Sequence, residues 1–189
     1  MYWLMMTYRY TTVKLKSIHN ISKQINMTKI VAFWKPKEQF GYFSNWFISP
    51  MIDENGTRYE HVEMFMMAGK AKLFNDKFML EQILKTTSPM RCRALGRKVT
   101  NFDERTWRRE ARNIVKQGLR LKFNDPTLRR YLLETGDAIL VEASPSDKIW
   151  GVGMTADNPD ITDSTKWKGT NWLGQCLMDV REEVKQNID

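Results

Sequence analysis

Apolar residues keep one rhythm before about residue 61 of this chain and another after it. In "KIVAFWK", residues 29–35, β-branched and aromatic side chains crowd together as they do in a strand. "FGYFSNWFIS" (40–49) reads as a strand or a turn, and "DENGT" (53–57) holds the Asn-Gly pair of a tight hairpin. From His61 the spacing becomes helical, with helices expected over 61–74, 76–85, 89–97, 105–123 and 126–134. Ser88-Pro89 and Asp125-Pro126 have the form of an N-cap followed by Pro at the first helical position. "AILVEA" (138–143) is a buried strand by composition, and 144–169, rich in Pro, Gly, Asp and Ser, is expected as a long surface loop with a functional role. Asn171 then caps a last amphipathic helix from Trp172 to about Gln186. The pattern is α+β: a predominantly helical single domain with a small β-sheet.

Composition narrows the class. The 189 residues, 42% of them hydrophobic, suffice for one domain with a real core. No apolar run approaches the roughly 20 residues that span a bilayer. Two cysteines, Cys92 and Cys176, are too few for a disulfide framework and lack metal-ligand spacing, which favours a reducing, cytoplasmic setting.

The net charge of +8 suggests nucleic acid until its position is read. Seven basic residues (Arg9, Lys14, Lys16, Lys23, Lys29, Lys35 and Lys37) precede the first acid, Glu38. With those set aside, 23 Lys and Arg face 22 acids, so the remainder is nearly neutral. Residues 1–28 are thus expected to form a basic, flexible extension before a domain at 29–186. A nearly neutral domain favours a small nucleotide over a nucleic-acid chain.

Candidate chemistry begins in "YEHVEMFMMAGKAKLF", residues 59–74. Glu63 and Lys70 are seven positions apart, hence within roughly 20° on one helix face, on a stripe continued by Met67 and Phe74. A charge facing a protein interior costs several kcal/mol unless it is paired or used. Snorkelling at the core's edge is one explanation. The other is a shared pocket, because a helical lysine leans back toward the N-terminus and so toward Glu63. His61 and Glu63, two apart, face different ways and do not make a zinc helix.

Two further clusters stand out. "SPSDKIWGVG" (144–153) sets Asp147, Trp150 and Gly151 just past a strand, where a carboxylate and a stacking surface can meet; an ordinary turn is the simpler explanation. "KGTNWLG" (168–174) places Asn171 at a helix start whose free amides can hold a phosphate, with Arg97 and Lys98 as a second basic helix end.

Taken in order, "FGYFSNW", "HVEMFMMAGKAKLF", "SPMRCRALGRK", "LRLKF", "ILVEASPSDKIWGVG" and "GTNWLGQCLMDVRE" resemble the NADAR (NAD- and ADP-ribose-associated) superfamily, the YbiA-like N-glycosidases, from about residue 30 to 184. The resemblance implies a mostly helical α+β domain that cleaves a bond between ribose C1 and a nitrogen. The substrates implied are phosphorylated ribosyl intermediates of riboflavin synthesis or ADP-ribosylated guanine in nucleic acid, with no cofactor, metal or membrane partner. By motif, it assigns catalysis to Glu63, Lys70, Trp107 and Asp147, and substrate contact to Asn45. Trp150 would stack beside Trp107. The chain departs from the family pattern at Met64, Phe65, Met67 and Gly69, where polar neighbours of the two charged residues have become apolar or small. Those changes leave open a second function, an NAD- or ADP-ribose-binding module without catalysis. A third, a basic nucleic-acid binder, rests on the overall charge alone.

Overall fold

A computed structural model describes residues 29–186. The basic stretch 1–28 lies outside the described residues. The chain runs β1 (Ile30–Phe33), a 3-10 turn at Gly41–Phe43, β2 (Met51–Ile52), β3 (Arg58–Tyr59), α1 (Val62–Leu73), α2 (Lys77–Leu84), α3 (Pro89–Gly96), α4 (Glu104–Lys122), α5 (Pro126–Glu134), β4 (Ile139–Glu142), a 3-10 turn at Ser164–Lys166 and α6 (Trp172–Gln186).

Local chemistry explains the boundaries. Asp53 Oδ1 accepts from the amides of Asn55 and Thr57 and, with Gly56 at φ 79°, closes the β2–β3 hairpin. His61 caps α1: its Nδ1 accepts from the Met64 amide at 3.0 Å while the Nε2–H donates to the Thr87 carbonyl. Asp76, Ser88, Asp103 and Asp125 cap α2 to α5 in the same way, the second and last followed by Pro.

The strands form two separate pairs rather than one sheet. β1 and β4 are parallel, with Phe33 opposite Glu142, and β2–β3 is antiparallel. Residues 40–49 resolve into turns, not a strand, and hold Ser44 and Asn45 buried. Helix α1 is central, buried at Val62, Ala68 and Ala71 and packed by α2, α3 and α4, while α6 lies between α4 and β4.

Residues 144–169 are irregular, as expected, but not a bare surface loop. Val152, Met154 and Ile161 bury a small second core against Val141 and Ala143, on the other side of β4 from the main one. The parallel pair is therefore covered on both faces, and its carboxyl ends open onto a crevice, where ligands of parallel sheets commonly bind.

Candidate active site

That crevice is a cavity of about 950 Å³, the size of a nucleotide-scale ligand pocket. Trp34 follows β1 and Glu142 ends β4 at its floor; α1, α3 and the loop after β4 wall it. Glu63, Lys70, Trp107, Asp147, Asn45, Arg97 and Trp150 all line it. Gly151 and Asn171 do not.

Glu63 is 5% exposed, and its Oε1 has no hydrogen-bond partner. Burial pushes its pKa up to about 7; Arg93 and Trp46 pull it down and Asp147 adds to the rise. Its amide donates to the Asn45 carbonyl at 2.9 Å, tying the 44–46 turn to α1. Lys122, a buried lysine whose pKa burial lowers to about 7, donates to the Ser44 carbonyl from beneath. Asn45 Oδ1, like Glu63 Oε1, is buried without a partner.

Lys70 shares the cavity with Glu63 but is not paired with it. Its amine donates to the Gly96 carbonyl at 2.9 Å and lies 4.1 Å from the Phe102 ring centre and 5.6 Å from that of Trp107. Burial lowers its pKa. The stripe on α1 thus presents an acid and an amine, about two turns apart, to one hollow. Of the departures noted above, only Met67 reaches that hollow. Met64 is core, Phe65 packs on Tyr59, and Gly69 lets α1 approach α4, since a Cβ there would stand 2.5 Å from Ile114 Cγ2.

Asp147 Oδ1 accepts from the Ile149 and Trp150 amides, and Oδ2 forms an ion pair with Arg93 at 3.6 Å. It is therefore both turn-former and cavity carboxylate. Trp150 meets Trp172 edge to face at 5.6 Å.

The start of α6 offers no anion site. The amides of Thr170, Asn171, Trp172 and Leu173 donate to the carbonyls of Lys148, Gly151, Ile149 and Trp150. Asn171, 1% exposed at φ 53°, turns its side chain to β4: Oδ1 accepts from the Glu142 amide at 3.0 Å and Nδ2 donates to the Leu140 carbonyl at 2.9 Å. Gly151 sits behind the wall, where a Cβ would crowd the carbonyls of Glu142 and Asp147. Cations gather instead at the mouth, where Lys35, Lys37, Arg97 and Lys148 line the cavity.

Sequence reasoning missed Glu142 and Arg93. The one available signal for Glu142 was an acid interrupting the apolar run "AILVEA". Arg93 looked like any solvated residue of a basic helix.

An α+β domain with an acid-floored, indole-walled cavity at the ends of two parallel strands is the class that fold and site define. The NADAR domain family matches residues 32–185, and the chain belongs to that family. The N-glycosidase R617 of Acanthamoeba polyphaga mimivirus is 43% identical over 149 residues, covering 76% of this chain and 88% of the relative. The N-glycosidase YbiA of Escherichia coli is 31% identical over 156 residues, covering 82% and 88%. The NMR structure of E. coli YbiA superposes with a TM-score of 0.70 at 28% identity, covering 86% of this chain and 88% of that one.

Proposed function

We propose that this chain is an N-glycosidase that hydrolyses the bond between ribose C1 and a base or amino nitrogen of a phosphorylated ribosyl or ADP-ribosyl substrate. Relatives named N-glycosidases support the reaction class. The observation that carries it is the buried Glu63 with an unpartnered oxygen in the same cavity as Lys70. A module that only bound ADP-ribose would gain nothing from a buried carboxyl oxygen left without a partner. Breaking a C1–N bond builds positive charge on the sugar, and a carboxylate facing it stabilises that charge.

In this reading Lys70 attacks C1 as the neutral amine. Burial favours that form, no carboxylate among the described residues holds the ammonium, and a neutral amine keeps its bond to Gly96 while its lone pair is free. Glu63 takes the proton the amine releases. Asp147, with Arg93, sets a fixed charge beside the ribose. Trp107 and Trp150 flank a flat base, worth ~1–3 kcal/mol per stacked base. Phosphate falls to Arg97 and the mouth lysines.

The test is release of free base from a ribosylaminopyrimidine phosphate and from DNA carrying ADP-ribosylated guanine, followed by mass spectrometry. Turnover of at least one is expected, with a borohydride-trapped sugar adduct that Lys70→Arg abolishes. A folded protein that turns over neither overturns the reading.

A further inference from the structure

We propose that Glu142, at the carboxyl end of β4, is a catalytic acid that hands a proton to the departing nitrogen. The inference rests on the N-glycosidase reading and adds to it a residue that reading leaves without a role.

Glu142 is fixed from both sides by its backbone. Its amide donates to Asn171 Oδ1 at 3.0 Å and its carbonyl accepts from Val152 at 2.9 Å. Side chains alternate along a strand, so Glu142 points to the same side as Leu140, toward the main core, while Val141 enters the small one. There its carboxyl lines the cavity, with Oε2 shielded from solvent and without a partner. A buried polar atom left unpaired costs about 1–3 kcal/mol, and a structural glutamate at a strand end has no reason to bear it.

The neighbours favour the protonated form. The Glu142 pKa is pushed up to about 8, mainly by burial, with Asp147 and Glu63 adding to the rise and Arg93 opposing it. Lys70 on α1 and Arg97, just past the end of α3, line the same cavity. Lys35 and Lys37 after β1, and Lys148 in the loop, lie at the mouth. Glu63 is close enough to raise the Glu142 pKa, so the two carboxyls hold one proton between them more readily than they ionise together. A pair that keeps one acid and one carboxylate is the arrangement that runs acid and base chemistry together.

The step balances. As the Lys70 amine bonds to C1, the C1–N bond breaks and its electron pair stays on nitrogen, which takes the Glu142 proton. The base leaves neutral, Glu142 becomes a carboxylate, and the amine's surplus proton passes to Glu63. The adduct opens to the Lys70–C1 imine as the C1–ring-oxygen bond breaks and the N–H proton moves to that oxygen; one water then adds at C1 and expels the amine, giving the free sugar. Transfer of the Glu63 proton to Glu142 restores the starting state.

The experiment uses the full chain and the Glu142→Gln variant, with kcat and KM measured against pH on the ribosylaminopyrimidine phosphate. The wild type should lose rate as pH rises through about 8, and the variant should lose about 100-fold or more in kcat together with that falling limb, at unchanged KM. A second readout needs no turnover: carbon-13 NMR of glutamate-labelled protein should show at pH 7 a protonated carboxyl that Glu142→Gln removes. Wild-type kcat and an intact falling limb in the variant, or a Glu142 carboxyl ionised at pH 7, overturn this inference alone. Absence of turnover in the wild type overturns the N-glycosidase reading and this one with it.

Discussion

Glu63 carries its cost in a form that titration exposes. Its carboxyl would ionise near 4.5 in the unfolded chain but not until about 7 in the fold. Between those values the unfolded state gains by releasing its proton and the folded state does not. Stability is therefore full below 4.5, falls as pH rises through the window, and stays low above it, by on the order of 3 kcal/mol. Glu63→Gln should melt at the same temperature as the wild type at pH 4 but on the order of 5–10 °C higher at pH 8, while base release collapses. Thermal melts at the two pH values check it; a constant gap would show that the carboxyl ionises normally. Such a site is half legible in a sequence. Glu63 and Lys70 betray themselves by interrupting an apolar helical stripe. Glu142 does so faintly, because one acid at the end of a short strand usually reaches water, and only the walls of the cavity it lines deny it that.

Elements explain the positions that lie outside the cavity lining or depart from the family pattern. Asn171 joins α6 to β4 through both ends of its amide. Asn171→Ala leaves a buried amide and carbonyl unpaired, at about 1–3 kcal/mol each. It should lower the melting temperature and reduce kcat through the displaced Glu142, with KM unchanged. A raised KM for phosphorylated substrate at full stability would instead mark Asn171 as a phosphate contact. Gly69 sits at the α1–α4 crossing, so Gly69→Gln should cost about 1–3 kcal/mol by overpacking Ile114. Denaturant melts should show Ile114→Ala recovering part of that loss. Caps at Ser88-Pro89 and Asp125-Pro126 were legible because capping is local chemistry. The buried side of 144–169 was not, because Val152, Met154 and Ile161 acquire meaning only against Val141, which precedes them in the chain and lies across the fold.

For the molecule as a whole, net charge misleads in both directions. Beyond its basic beginning the chain is almost neutral, yet the fold sorts its charges by depth. Glu63 and Glu142 sink to the cavity floor, while Lys35, Lys37, Arg97 and Lys148 stay at the mouth. A phosphorylated substrate of the kind proposed would be drawn inward by an exposed cationic rim, and salt screens that rim far more than the buried floor. Steady-state rates between 50 mM and 500 mM salt should show KM rising several-fold with kcat nearly constant; an equal fall in kcat would place the phosphate deep instead. The hydrogen bonds spent at the start of α6 also fix one side of the cavity in advance. With the carbonyls of 148–151 hooked into that helix, the wall bearing Asp147 and Trp150 is tied to a regular element through four backbone bonds. A carboxylate and an indole held in that way need not be ordered when a ligand arrives, so none of its affinity is lost to arranging them.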